Sequence, residues 1–182
     1  MDPKSLIDSA AVLKNMPRTG WLQRGVPSSE AETIAEHTYE VVSIIAAICM
    51  TYGKGLDMKR MLLMGIIHDW GEAVTGDIPR GLTSRIGKDV KSRVDTDVIM
   101  ELAAKSGIKS LNSLFEEYEK RETLESILVK FADLLSTLRQ SIAYKSRGFN
   151  VEDIANSCSA ELNALMEKIE NDELKELVKK II

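Results

Sequence analysis

The stretch TLESILVKFADLLSTLRQSIAYKSRG, Thr123 to Gly148, decides the fold. Leu124, Leu128, Phe131, Leu135, Leu138 and Ile142 recur every three or four residues. That is the period of an α-helix burying one side. Thr123 stands where an N-cap hydroxyl can accept from the first free backbone N–H groups. Gly148 closes the run. Asp133 lies off the apolar stripe, with Lys130, Thr137 and Gln140. On a helix face of that kind an aspartate ordinarily meets water.

The same period continues on both sides. Leu6, Ala10 and Leu13 mark a first helix, with Pro3 in its first turn, which stops before Pro17. Residues 17–31 read as a loop. Glu32 to about Tyr52 is a long helix with His37, Val41, Ile44, Ile45 and Ile48 on one side; Gly53 and Gly55 end it. Leu56 to Asp69 is another. Gly76-Asp77-Ile78-Pro79-Arg80-Gly81 reads as a loop. Ile86, Val90, Val94, Val98 and Leu102 mark a further helix ending by Gly107. A short helix covers Leu111 to Lys120. Val151 onward is helical, with a bend at Asn171-Asp172. No segment sustains strand alternation, and no repeat or linker interrupts the pattern. The expectation is one all-α domain, residues 1–182, of seven or eight helices.

Composition agrees. The chain has 182 residues, 44% hydrophobic and 29% charged, which is enough apolar material for a core. Its 28 acidic and 24 basic residues leave a net charge of −4, against a dedicated binder of nucleic-acid polymers. The longest apolar stretch, Val41 to Met50, is half of the roughly 20 residues a membrane span needs. No basic-then-apolar leader precedes the first helix. Cys49 and Cys158 have no metal-like spacing and read as buried thiols of a reducing compartment. A cytoplasmic protein without a membrane anchor is expected. Met50, Met58, Met61 and Met64 read as core filler, and the run Glu167 to Lys180 as a solvated helix face whose leucines can also make a dimer contact.

There are two histidines, His37 and His68, and Asp69 follows the second directly. Both sit among apolar residues, where an imidazole needs a partner for each nitrogen. Two imidazoles with the carboxylates of Asp69 and Asp133 would suit one borderline divalent metal such as Mn, Co, Ni, Zn or Fe, and would suit Ca poorly.

The order His37, His68-Asp69, Asp133 resembles the H…HD…D signature of HD-domain metal-dependent phosphohydrolases. The flanking blocks narrow the likeness: Pro17-Arg18-Thr19-Gly20-Trp21 with Arg24, Glu32-Thr33-Ile34-Ala35-Glu36-His37, and His68-Asp69-Trp70-Gly71-Glu72 with Gly76-Asp77-Ile78-Pro79. Tyr118-Glu119, Glu122-Thr123-Leu124-Glu125 and Lys130-Phe131-Ala132-Asp133 continue it. Over about residues 13–148 the chain is similar to the 5′-deoxynucleotidases of that family, in the branch shared by archaea and eukaryotes. The helices of 151–182 would pack on this part or form a dimer contact.

The resemblance implies metal-dependent removal of the 5′-phosphate from deoxyribonucleoside monophosphates, usually by a homodimer. It implies one divalent ion (Co, Mn, Ni, Zn, Fe or Mg) on His37, His68, Asp69 and Asp133. Glu72 and Asp77 become the candidate acid/base groups. Glu72, three residues after Asp69, shares its side of a helical turn. Arg18 becomes the phosphate ligand, since guanidinium pairs bidentately with phosphate oxygens. Trp21 would stack on sugar or base, or else pack the loop to the core. Ile78, Pro79 and Arg80 would line the nucleoside side. Two other readings stay open: an HD phosphohydrolase of triphosphates or alarmones, and a non-enzymatic helical protein stapled by a metal. Two-metal HD enzymes want more histidines than this chain has.

Overall fold

The computed structural model describes residues 2–182. It is all-α, with eleven α-helices and one 3₁₀ turn among the described residues. They are α1 (Pro3–Val12), α2 (Thr19–Leu22), α3 (Ile34–Tyr52), α4 (Met58–Ile67), α5 (Glu72–Thr75) and α6 (Arg80–Ile86). Then come α7 (Lys88–Ser106), α8 (Ser110–Lys120), α9 (Leu124–Ser146), α10 (Glu152–Met166) and α11 (Asp172–Ile181).

The count exceeds seven or eight for a physical reason. α2 and α5 are single turns, too short to show a period. α6 is split from α7 by Gly87, whose φ of +93° interrupts the helical spacing of Ile86 and Val90. The expected bend near Asn171 is a full break, with Asn171 capping α11.

Side-chain caps set several starts. Thr33 and Glu36 form a reciprocal capping box at α3, and Thr123 Oγ1 accepts from Ser126 N at α9. α9 is the central element, packed by α3, α4, α8 and α10. Fourteen of its residues are buried, Asp133 among them at 7% exposure. The side of α9 opposite the leucine stripe therefore does not face water. α3 and α4 approach closely at Gly65, where a Cβ would lie 2.6 Å from Ile45 Cδ1.

By length and composition α3 could cross a bilayer, with a mean hydropathy of 1.2. It packs instead on α4 and α9, with Ile34, His37, Val41 and Ile45 fully buried. Met61 and Met64 fill the core as expected, but Met50 is 77% exposed. Cys49 and Cys158 are buried free thiols. Leu174 and Val178 of α11 are fully buried and α11 packs on α3, so these two side chains are not available for a dimer contact.

Candidate active site

Four elements carry the ionisable groups to one point. α3 presents His37 one turn after its capping box. α4 ends at His68, and Asp69 follows before the chain turns into α5. Glu72 opens α5, and α9 brings Asp133 from the opposite wall. One ligand atom from each of His37, His68 and Asp69 fits within a sphere where all lie within 4.8 Å of one another. His37 Nε2 is 3.1 Å from Asp133 Oδ1 and 3.9 Å from Asp69 Oδ2. His68 Nε2 is 3.1 Å from Asp69 Oδ2 but not aligned for a hydrogen bond, so this buried nitrogen has no partner.

The donor set fits a divalent metal. His68 Nδ1 donates to Gly65 O at 2.8 Å, which leaves the Nε2 lone pair aimed at the carboxylates. An orphaned buried nitrogen facing two carboxylates is costly without a cation. The electrostatics say the same. Burial raises the carboxyl of Asp69, but the neighbouring His68 and His37 outweigh it and hold the group below the carboxylate range. Burial likewise works against Asp133 ionisation, and Lys130 and both histidines hold it well below that range. Burial pulls His68 down, yet Asp69 leaves it net raised.

Glu72 behaves in the opposite way. It is buried, its Oε2 has no partner, and burial pushes its carboxyl well above the usual range, with the charges of Asp69 and Asp77 adding to this. The site thus sets two carboxylates held toward the ionised form beside one pushed toward the protonated form.

Arg18 immediately precedes α2, and its side chain borders the cleft. Its Nη1 donates to Thr137 Oγ1 at 3.0 Å and lies 3.6 Å from Glu32 Oε2. Burial lowers this guanidinium, but Glu32, Asp69, Asp133 and Asp77 outweigh it and leave the group raised. Asp77 accepts from the Thr19 backbone N–H, while Thr19 Oγ1 donates to Asp77 O at 3.2 Å. The GDIP loop is therefore tied to the α2 turn.

A cleft of about 560 Å³ joins these groups. Arg18, His68, Asp69, Glu72, Asp77, Ile78, Pro79, Arg80 and Asp133 all border it. Arg80 is also committed to α10, through Glu161 Oε1 at 2.8 Å and Ser157. Trp21 borders the cleft too, but is 1% exposed. Its Nε1 donates to Glu32 Oε2 at 3.0 Å and its ring packs on Tyr144 at 5.1 Å. A ring so enclosed offers almost no face to a ligand, so of its two readings the structure gives core packing. Trp70 packs against the core and does not border the cleft.

Sequence reasoning placed Lys130 and Thr137 beside Asp133 but gave no role to several other neighbours. Tyr118 Oη donates to Asp133 Oδ2 at 3.2 Å, and Lys130 Nζ lies 2.7 Å from the same oxygen. Lys91, paired with Asp95 at 2.6 Å, borders the cleft. Thr137, one turn after Asp133, was detectable by spacing. Tyr118 and Glu32 stood in the quoted motif blocks without a role, and Lys91, on α7, left no local signal.

Comparison with known proteins agrees. The HD-domain family model matches residues 10–174. The 5′-deoxynucleotidase hdd1 of Schizosaccharomyces pombe is 29% identical over 153 residues, covering 80% of this chain and 73% of that protein. The 5′-deoxynucleotidase HDDC2 of Dictyostelium discoideum is 28% identical over 152 residues, 78% and 76% of the two chains. A conserved hypothetical protein from Pyrococcus furiosus shares the fold at a TM-score of 0.79, with 32% identity over 97% of both chains.

Proposed function

The chain belongs to the HD-domain family, and from that premise we propose a metal-dependent 5′-deoxynucleotidase that hydrolyses deoxyribonucleoside 5′-monophosphates to deoxynucleoside and phosphate. Relatives bearing that name support the substrate class. The observation that carries the reading is the meeting of a His/Asp cluster, the Arg18 guanidinium and the buried Glu72 carboxyl in one cleft. That cleft is within the usual range for small-molecule sites, about 300–1,000 Å³. The residues 1–182 act as one HD domain in this reading.

His37, His68, Asp69 and Asp133 would hold one divalent ion. Such an ion supplies positive charge to phosphoryl oxygens and lowers the pKa of a bound water. The protein's own groups do the rest. Arg18 is anchored at Nη1, and its Nε and Nη2 have no protein partner among the described residues, so they can take two phosphate oxygens. Glu72, its carboxyl raised by burial and its Oε2 without a partner, is the group to protonate the departing 5′-oxygen. Asp77 is spent on Thr19 and acts by fixing the wall formed by Ile78, Pro79 and Arg80. The other cations nearest the cluster are already paired, Lys130 with Asp133 and Lys91 with Asp95, which favours one phosphate over three. A structural staple would be closed on all sides; this cluster opens onto the cleft. Buried free thiols support a cytoplasmic setting. A homodimer has apolar surface available at Tyr39, Met50 and Ile142, all more than half exposed; light scattering at twice 20.2 kDa would establish it.

The test is phosphate release from 5′-dNMPs, 5′-NMPs, 3′-dNMPs and dNTPs, with Mn, Co, Ni, Mg or Zn added back after chelation. Metal-dependent release from 5′-dNMPs is expected. Release from dNTPs alone would overturn it in favour of a triphosphohydrolase. Lysine at position 18 keeps the charge but loses the fork and the Thr137 anchor. Arg18→Lys is therefore expected to lower kcat/KM about 10- to 150-fold, mostly through KM, the worth of one or two charge-assisted hydrogen bonds. Steady-state kinetics check this.

A further inference from the structure

The two histidines are supported differently. His68 Nδ1 faces a backbone carbonyl, which can only accept, so its tautomer is settled. His37 Nδ1 has two rival neighbours at the same distance. Ser136 Oγ lies 3.0 Å away, and so does Arg18 Nη1. Arg18 can only donate. If it wins, Nδ1 is an acceptor, the proton sits on Nε2, and Nε2 donates to Asp133 at 3.1 Å. In that state His37 has no lone pair for a metal.

Behind Ser136 stands a group that weighs on the opposite side. Ser136 Oγ donates to Glu40 Oε2 at 3.0 Å, and Arg139 Nε donates to Glu40 Oε1 at 2.8 Å. A carboxylate accepts only, so the single Ser136 hydroxyl proton is committed to Glu40. Its oxygen then presents a lone pair to His37 Nδ1, which must donate. The proton leaves Nε2, whose lone pair then faces the carboxylates of Asp133 at 3.1 Å and Asp69 at 3.9 Å, where a divalent ion would sit. Ser136 is fully buried, so water cannot substitute for it. Arg18 keeps a bond of its own to Thr137 Oγ1.

We propose that Glu40 and Ser136 are positioning residues that set the Nδ1–H tautomer of His37 against the competing Arg18, and so make His37 a metal ligand. The proposal rests on the metal-site reading above. Glu40 never touches the imidazole; it acts by orienting one hydroxyl proton. Removing Glu40 frees that proton to point at Nδ1, and the tautomer inverts.

Two measurements test it. The chain has only two histidines, so ¹⁵N–¹H correlation spectra of the metal-free protein resolve both rings. His37 is expected as Nδ1–H in the native chain and as Nε2–H in Glu40→Leu and in Ser136→Ala, with His68 unchanged. Ser136→Thr keeps the hydroxyl and should keep the native tautomer. Mn²⁺ binding by equilibrium dialysis should weaken about 10- to 100-fold in the two inverting variants, the usual cost of losing such support. Adding Arg18→Leu to Ser136→Ala removes the rival donor and should recover part of that affinity. Glu40 is partly exposed and its replacement need not disturb the core, which keeps the test open if Ser136→Ala fails to fold. Native spectra showing Nε2–H on His37 overturn the proposal whatever metal binds. Unchanged tautomer and unchanged Mn²⁺ affinity in Glu40→Leu overturn it too. A native protein that is Nδ1–H yet binds no Mn²⁺ supports the tautomer assignment and overturns the metal-site reading instead.

Discussion

Asp69→Asn is expected to abolish metal-dependent phosphate release while leaving the metal-free protein folded. Asp69 is the carboxylate held between both imidazoles, 3.1 Å from His68 Nε2 and 3.9 Å from His37 Nε2. Its ionised form is the favoured one, because the histidines outweigh its burial. Asparagine keeps the shape and removes the charge. If the metal contributes about 4–6 kcal/mol at the transition state, the loss is about 10³–10⁴ in kcat. Thermal shift gives the second readout. A metal at 100 times its Kd stabilises the native protein by about 2.7 kcal/mol, or roughly 5–11 °C for a chain of this size. The variant should lose that shift. Its Tm without metal should stay close to the native metal-free value. Collapse of the native protein on metal removal would point to a staple, and a native-like metal shift in Asp69→Asn would remove this residue from the ligand set.

The legible part of this site is the part written in short spacings. His68-Asp69 is adjacent, Glu72 is one turn on, and the apolar period from Val41 to Ile48 marks the helix that carries His37. Although Ile142, one turn beyond it, is exposed, the core stripe of α9 was equally plain from Leu128 to Leu138. Its other side was not, because one helix cannot report what packs against it. α8 and α10 lie against α9, and Asp133 and Thr137 are enclosed where an isolated helix would expose them. The His37–Ser136 and Arg18–Thr137 contacts span 99 and 119 residues. Pairings at that range are created by the fold and leave no periodicity. Trp21 illustrates the same limit. A tryptophan in a Gly- and Pro-rich loop looks free to stack on a ligand. Only the fold reveals Glu32 and Tyr144 waiting for it.

Glu72→Gln should separate chemistry from stability, because it is expected to move them in opposite directions. Glutamine cannot release a proton to a departing alkoxide. A positioned proton donor is worth about 10²–10⁴ in rate, so kcat should fall by that factor with little change in KM. Metal affinity should change far less than in Asp69→Asn. Stability of the metal-free protein runs the other way. Burial, with Asp69 and Asp77 beside it, raises the Glu72 carboxyl in the fold, whereas in the unfolded chain it ionises as an ordinary glutamate near pH 4.3. The fold therefore holds a proton that the unfolded chain releases. Below about pH 4 both states are protonated, and glutamine should match the native stability. As pH rises through the window between the ordinary value and the raised one, native stability falls and the variant's does not. At neutral pH metal-free Glu72→Gln should melt higher, by roughly 2–4 °C for each kcal/mol relieved. Melting curves from pH 4 to 8 in chelator would show the gap opening with pH. A gap that instead closes toward neutral pH would mean Glu72 is ionised in the fold, and the proton donor would have to be sought at another group in the cleft.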